Sequence, residues 1–288
     1  MKTAIMTDTN SGITRQEADV SGIFLIPMPI IIDEEIFFEG VNLTQESFYK
    51  DLTDGRDIST SQPSPGDVID MWKSILSSGY DEIVYIPMSS GLSNSCASAI
   101  GLSKEFDGKV MVADNHRISV TMRESVFEAK RLADSGLSAR EIKDYLEKTA
   151  FDASIYIAVD TLEFLKKGGR ITPAAAALGA VLNIKPILSI QGEKLDAFAK
   201  VRGMKKCKAK MIEALQQDLS TRFKDVDKSR IKLCTAGTAL SPEEAEEWRN
   251  TVSEAFNGAD VYYNPLSLSI GTHTGPGAMG IGLVVVAK

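Results

Sequence analysis

Short apolar runs that alternate with amphipathic segments dominate the first half of the sequence. The runs Thr3–Met6, Glu82–Pro87 and Lys109–Ala113 have the length and composition of buried strands. The segments between them carry apolar residues at helical spacing, most clearly over Asp67–Ser77. Strands separated by helices favour a parallel sheet that is covered on both faces. We therefore predict an α/β protein whose first domain, residues 1–153, is a Rossmann-like three-layer domain.

The pattern of the sequence changes near residue 153. The runs Pro186–Ile190 and Leu195–Val201 flank a glycine and predict a β-hairpin. Two long helical segments follow, at Lys205–Leu219 and Pro242–Phe256. Because hairpins mixed with helices are typical of α+β domains, we predict a two-layer α+β second domain over residues 154–288.

Three segments have a less regular pattern. Ile23–Ile32 is an apolar run that contains Pro27 and Pro29. It predicts an extended stretch that is either a buried strand pair or an edge, and it is too short for a membrane span. Asp54–Pro65 is rich in turn formers and predicts a loop. Ala174–Leu182 consists of small and apolar residues and predicts a helix.

Composition excludes several classes of function. The 288 residues carry a net charge of −7, which disfavours nucleic acid as a partner because phosphate binding needs a basic surface. The same charge disfavours tight docking on anionic lipid, so we expect at most transient membrane contact. Asp8 interrupts the apolar start, so we expect no signal peptide. Three widely spaced cysteines predict reduced thiols in the cytoplasm, and two histidines without clustered cysteines predict no metal site.

Two turns rich in hydroxyl groups each lead into a predicted helix. The first turn is Ser59–Pro65, in which Ser64 is typical of an N-cap and Pro65 of a first helical turn. The second turn, Ser89–Ser95, directly follows a strand. Open α/β sheets bind ligands at the carboxyl ends of their strands, and helix N-termini there favour anions. The turns therefore indicate a site for a carboxylate or a phosphate, although capping alone also explains hydroxyls at helix starts.

Five short motifs, taken together in this order, resemble the DegV family, the fatty-acid-binding subunits of bacterial fatty acid kinase. The resemblance spans nearly the whole chain. The motifs are Thr60–Ser64, Ser89–Ser93, Lys166–Ile171, Lys185–Leu188 and Gly275–Gly280.

This resemblance implies a non-catalytic lipid carrier that holds a long-chain fatty acid, such as palmitate, between its two domains and uses no cofactor. It implies that Thr60 and Ser93 bind the carboxylate with help from Ser61, and that His273 contacts the carboxylate or the acyl-phosphate product. By the same analogy, Arg170 and Arg202 lie near the ligand head and the docking face of a separate ATP-dependent kinase. The acyl phosphate would then enter phospholipid synthesis.

The sequence departs from the family pattern in two places. Asn94-Ser95 follows Ser93 where many members carry Gly-Thr, and Asp114-Asn115-His116 stands where Asp-Ser is usual. These changes bear on the mouth of the pocket and on the acyl preference, but they leave both carboxylate-binding hydroxyls in place.

Several other signals are weaker. His273 stands in a Gly- and Thr-rich segment that predicts a flexible loop. Lys200–Lys210 carries six basic residues and no acidic one, which predicts either a solvated helix face or a kinase-docking surface. The glycines Gly275, Gly277 and Gly280 match the dinucleotide fingerprint, but a strand rather than a helix is predicted after them, which excludes that function.

Two alternatives remain open at this point. A serine hydrolase or acyltransferase would use Ser93 or Ser61 with His273, and Asp114 would orient the histidine. A module that binds sugar phosphates would use the same turns and would carry no lipid.

Overall fold

The computed structural model describes residues 2–177 and 184–287. The chain divides into two compact units: unit 1 comprises Met1–Thr44 and Asp57–Phe151, and unit 2 comprises Gln45–Arg56 and Asp152–Lys288. The sequence-based division at residues 153 and 154 kept the segment 45–56 in the first domain, whereas Cα packing groups this segment with unit 2.

The elements before residue 152 alternate between strand and helix. The strands are β1 (Thr3–Asp8), β2 (Ile23–Ile26), β3 (Pro29–Ile32), β4 (Glu35–Phe38), β5 (Ile58–Thr60), β6 (Glu82–Ile86) and β7 (Val110–Val112). The helices are α1 (Arg15–Ser21), α2 (Gln45–Thr53), α3 (Pro65–Ser77), α4 (Ser95–Ser103), α5 (Ser119–Asp134) and α6 (Ala139–Lys148). Of these elements only α2 belongs to unit 2.

A four-stranded parallel sheet forms the middle layer of unit 1, with the strand order β2-β1-β6-β7. Successive residues of a strand point to opposite faces of a sheet. Accordingly, Ile83 and Tyr85 of β6 pack in the apolar cluster that contains Trp72 of α3. Val84 and Ile86 pack in the cluster that contains Val126 of α5 and Ile142 of α6. The predicted α/β fold with a parallel sheet is confirmed.

A small antiparallel sheet, ordered β4-β3-β5, includes parts of two segments whose sequence pattern is less regular. Ile23–Ile32 forms two strands, as the strand-pair alternative predicted, but they belong to different sheets: β2 joins the parallel sheet and β3 joins the small sheet. Asp54–Pro65 is not entirely a loop, because Ile58–Thr60 pairs with β3. A three-residue strand carries little local signal, since its pairing depends on a partner about thirty residues away in sequence.

Unit 2 contains a six-stranded mixed sheet with the strand order β10-β9-β8-β13-β11-β12. Its strands are β8 (Ala153–Ala158), β9 (Ile184–Ile190), β10 (Asp196–Arg202), β11 (Ile231–Gly237), β12 (Val261–Pro265) and β13 (Met279–Val285). Its further helices are α7 (Glu163–Gly168), α8 (Pro173–Ala176), α9 (Met204–Ser220), α10 (Pro242–Ala255) and α11 (Leu268–Thr274).

The core of unit 2 lies between its sheet and two of its helices. Met211 and Leu215 of α9 and Trp248 of α10 pack on Ile281 and Leu283 of β13. The predicted hairpin is present as the antiparallel pair β9–β10. The helix predicted over 174–182 includes residues 178–182, which lie outside the described part of the chain.

None of the helices within residues 2–177 and 184–287 combines the length and the apolar character of a membrane-spanning segment.

Asp8 is a fully buried carboxyl at the carboxyl end of β1. Its Oδ1 accepts a hydrogen bond from the Asn10 N–H at 2.8 Å, and its Oδ2 accepts one from the Met88 N–H at 2.9 Å. Desolvation nevertheless raises the pKa of Asp8 to about 6, because burial penalises the charged form by more than these donors favour it. Asp8 thus connects the loop after β1 to the loop after β6 through hydrogen bonds.

The raised pKa of Asp8 predicts a specific dependence of stability on pH. The folded protein binds this proton more tightly than the unfolded chain does, so the contribution of Asp8 grows as pH falls through about 6. We expect the unfolding free energy of the wild type to rise relative to that of Asp8→Asn by about 2–3 kcal/mol from pH 7.5 to pH 4. Urea titrations across this range measure the difference.

Asp107→Asn is the matched control, because Asp107 is exposed and lies in a turn with positive φ that asparagine tolerates. A difference between the wild type and Asp8→Asn that stays constant over this pH range would contradict the prediction.

Candidate functional site

The loops after β1, β6 and β7 share one edge of the sheet, because the three strands are parallel. Hydrogen bonds from backbone N–H groups to carbonyl and carboxylate oxygens join the loops to one another. The Ser89 N–H donates to the Arg117 carbonyl at 2.9 Å, and the Ser90 N–H donates to Asp114 Oδ1 at 3.3 Å. With the Asp8–Met88 bond, these contacts make a continuous polar edge of the kind at which open α/β sheets bind ligands.

Ser93 lies half-buried just before α4. Its Oγ accepts a hydrogen bond from the Ser95 N–H at 3.2 Å. A hydroxyl that accepts from the backbone still has its own proton to donate. Ser93 is therefore an oriented neutral donor at the beginning of a nine-residue helix, where the free N–H groups also favour an anion.

Thr60 is the last residue of β5 and is half-buried opposite Ile30. Ser61 is exposed, and its N–H donates to the Pro29 carbonyl at 3.2 Å. Ser64 caps α3 as predicted, because its Oγ accepts from the Asp67 N–H at 3.1 Å. Of the hydroxyls in this turn, Ser64 thus has a capping role, while Thr60 ends a strand.

The two hydroxyl-rich turns lie next to each other in unit 1. The Ser98 hydroxyl on α4 donates to Oε1 of Gln62 at 3.2 Å. Gln62 and Pro63 of the first turn also line a small cavity together with Ser95 and Ser98. The structure therefore brings the turn that contains Thr60 to the helix that begins after Ser93.

His273 lies in the last turn of α11 in unit 2, and not in a flexible loop as the sequence suggested. The Ser267 hydroxyl caps the short helix locally, and tertiary packing then places Gly271 against the hydroxyl of Tyr49 on α2. A Cβ at Gly168 would lie only 2.0 Å from Nδ1 of His273, so only glycine allows the imidazole this position. This packing could not be predicted from the sequence, because Tyr49 and Gly168 are both far from His273 in the chain.

The imidazole of His273 is neutral at physiological pH. Burial, and then the positive charge of Arg170, lower its pKa to about 4. A neutral imidazole donates one hydrogen bond and accepts another. It therefore suits a ligand that is recognised by hydrogen bonding rather than by an ion pair.

Arg170 and Arg202 do not lie together. Arg170 donates to the Gly168 carbonyl at 2.5 Å, and its own carbonyl accepts from Leu195, just before β10 begins. Arg202 is the last residue of β10 and is exposed. The seven-residue strand separates the two arginines by about 20 Å of backbone.

The basic segment Lys200–Lys210 is partly neutralised by acidic residues elsewhere in unit 2. Lys208 pairs with Glu247 at 3.3 Å, and Lys210 pairs with Glu213 at 2.9 Å. Lys205 and Lys206 are exposed at the beginning of α9. The positive surface that remains is therefore smaller than the sequence suggested.

The glycine-rich segment Gly275–Gly280 is a packed turn. The Thr238 hydroxyl donates to the Gly275 carbonyl at 2.7 Å and accepts from the Ala278 N–H at 2.9 Å. Gly275 has a φ of 74°, and a Cβ there would lie 2.4 Å from the ring of Phe164. The turn follows α11 and leads into β13, which is the reverse of the strand and helix that a dinucleotide fingerprint needs.

The interactions of two charged groups, Asp8 and Lys185, were not predicted from the sequence. Asp8 is the last residue of a buried strand, and this position in the sequence could have indicated a carboxyl group at the edge of the sheet. Lys185 pairs with Asp160 at 2.9 Å in unit 2, and nothing local links residues 25 positions apart. Within residues 2–177 and 184–287, no cluster of three or more histidine, cysteine or acidic residues is arranged to hold a metal ion.

The surroundings of His273 and Asp114 bear on the hydrolase alternative. The charged group that shifts the pKa of His273 is the cation Arg170, whereas a catalytic triad needs a carboxylate beside its histidine. Asp114, the proposed orienter, accepts hydrogen bonds from the N–H groups of Ser90 and His116 in unit 1. Neither residue has the environment of a triad member.

Comparison with solved structures finds closely similar folds. A fatty-acid-binding DegV family protein from Thermus thermophilus superposes with a TM-score of 0.87 at 27% identity, over 99% of this chain and 100% of that one. DegV from Bacillus subtilis, described as a fatty acid binding protein, gives a TM-score of 0.85 at 27% identity, over 99% of each chain.

Comparison of sequences gives the same relationship. A DegV domain-containing protein of Deinococcus radiodurans is 31% identical over 284 residues, which cover 98% of each chain. The family model described as "Uncharacterised protein, DegV family" matches residues 2–286. The chain therefore belongs to the DegV family.

Proposed function

We propose that this protein binds a long-chain fatty acid, such as palmitate, and carries it without chemical change. The observation that carries the proposal is the pairing of two hydroxyl-rich turns in unit 1, where the Ser93 hydroxyl is oriented by the Ser95 N–H. The similarity to solved DegV proteins that are described as binding fatty acids supports it.

The chemistry of the turns suits a fatty acid head group. Burying about fifteen methylene groups gives a gross gain of roughly 12 kcal/mol, so the acyl chain supplies most of the affinity. The carboxylate contributes less, but it must not be left buried without partners. Hydroxyl donors at Thr60 and Ser93, with Ser61 as a helper, satisfy it without an ion pair. We propose His273 as a further neutral hydrogen-bond partner of the ligand head.

We further propose that the bound carboxylate is presented to a separate ATP-dependent kinase in the cytoplasm, which forms an acyl phosphate for phospholipid synthesis. Arg170 and Arg202 are the candidates for stabilising phosphate or contacting the kinase. Lys205 and Lys206 add exposed positive charge next to Arg202 in sequence and favour an acidic partner surface.

The double substitution Thr60→Val with Ser93→Ala tests the head-group assignment. Each lost hydrogen bond to a charged group is worth about 1.5–3 kcal/mol, so we expect fatty acid affinity to fall at least about tenfold. Displacement of a fluorescent fatty acid measures the affinity. Thr251→Val with Ser103→Ala is the matched control, since these hydroxyls bond only to carbonyls of their own helices among the described residues. Equal affinity of the test variant and the control would refute the assignment.

The charge state of His273 gives a second test. Because its pKa is lowered to about 4, we expect the imidazole signals of His273 to stay constant from pH 8 to pH 5.5 in NMR spectra. His273→Asn assigns the signals. Arg170→Gln removes the secondary cause of the shift and should raise this pKa while leaving it below the ordinary value, since burial remains. A midpoint of titration near 6.5 in the wild type would contradict the neutral role.

Reversal of two charges tests the kinase proposal. Lys205→Glu with Lys206→Glu should slow acyl-phosphate formation by a kinase of the same organism and leave fatty acid affinity unchanged. The expected loss is severalfold to tenfold and should shrink at high salt, because exposed charges act mainly on association rates. Lys104→Glu with Lys109→Glu, on the surface of unit 1, is the control. Turnover equal to that of this control would count against a docking role.

A further inference from the structure

A groove of about 630 Å³ lies in unit 2 at the end of the sheet where β11 and β12 begin. It is formed by the end of α9, the segment 221–230 and the turn that follows α10. Its apolar lining includes Leu219, Phe223, Ile231 and Phe256. The volume falls in the range of small-molecule sites, which are mostly apolar with a few polar groups.

The charged residues of the groove lie on its exposed rim. Lys224, Lys228 and Lys232 are all exposed and have no ion-pair partner among the described residues. In contrast, Lys185, Lys208 and Lys210 of the same unit each pair with a carboxylate. Asp260 is the acidic residue of the lining, so the rim is net positive in a chain whose overall charge is −7.

The groove is separate from the region of His273. β11 begins at Ile231 in the groove and ends at Gly237, next to Thr238, which holds the Gly275 turn. A seven-residue strand spans about 20 Å. The groove therefore lies at the opposite end of the unit 2 sheet from the glycine-rich turn.

We propose that this groove binds a second lipid, a single acyl chain with an anionic head group. The aliphatic and aromatic lining matches the acyl chain, and the lysines without acidic partners match the anion. A bilayer surface fits less well, because the apolar residues line a concavity rather than a protrusion. A compact polar anion would leave the apolar lining in contact with water.

The energetics set the expected strength of binding. Burial of the methylene groups of the acyl chain supplies most of the binding free energy, which is reduced by lost mobility and by the open side of the groove. The three lysines add long-range attraction that salt screens. Binding in the groove should thus be weaker than at the hydroxyl-rich turns and more sensitive to salt.

The experiment uses the full chain carrying Thr60→Val and Ser93→Ala, so that the groove is titrated with the other head-group site weakened. Dodecanoate and lauroyl lysophosphatidate are titrated by calorimetry below their critical micelle concentrations. Lys224→Glu, Lys228→Glu and Lys232→Glu together should weaken binding at least tenfold. Lys73→Glu, Lys104→Glu and Lys109→Glu, three exposed lysines of unit 1, should have little effect.

Ala259→Phe is a second variant that fills the groove without a change of charge, and thermal unfolding checks that each variant folds. A crystal grown with 12-bromododecanoate should show anomalous bromine density in the groove. Binding of both lipids supports an anion site that accepts either head group, whereas binding of dodecanoate alone supports a fatty acid site.

Three results would overturn the proposal: no binding of either lipid, equal binding by the lysine variant and its control, or no bromine density in the groove. These outcomes are distinct from failure of the proposed carrier function. That failure appears as unchanged fatty acid affinity when Thr60 and Ser93 are replaced in the otherwise wild-type chain.

Discussion

The parallel pairing of β1 with β6 is the constraint on which the candidate site of unit 1 depends. Register pairs Thr7 with Ile86, so the two strands end together and their loops emerge side by side. The Asp8 carboxyl then bridges them through two backbone N–H groups. This carboxyl is fully buried, and its surroundings have a low local dielectric. Its hydrogen bonds to the two loops are therefore strong, and the loss of either partner would be costly. This arrangement determines where the serines that follow β6 lie.

The two units offer different kinds of recognition chemistry. Unit 1 has uncharged hydroxyls at the end of a strand and just before a helix, and we propose those of Thr60 and Ser93 as donors to the ligand. Unit 2 presents an imidazole that burial and Arg170 keep neutral. Neutral donors satisfy a carboxylate without the desolvation cost of a buried ion pair. Such donors suit the carrier role that we propose, in which the ligand is released or exposed to another protein.

Positive charge in unit 2 is distributed unevenly. Lysines near acidic side chains are paired, as at Lys208 and Glu247, whereas those around the groove at the end of α9 are not. The sequence drew attention to Lys200–Lys210 because six basic residues stand together there. Spatial pairing reduces the charge of that segment, and packing gathers Lys224, Lys228 and Lys232 around an apolar surface. Linear density of charge is therefore a poor guide to where an anion finds unpaired cations.

The sequence by itself determined the alternation of strands and helices, the hairpin β9–β10 and the caps of the longer helices. These features rest on interactions within a few residues, such as the Ser64 hydroxyl with the Asp67 N–H. The five motifs likewise sufficed to identify the family. Only the tertiary structure decided that Ile23–Ile32 divides between two sheets, that α11 carries His273, and that the segment 45–56 belongs with unit 2. It also decided the protonation of Asp8 and His273, because desolvation and charge at a buried site come from residues far apart in the chain.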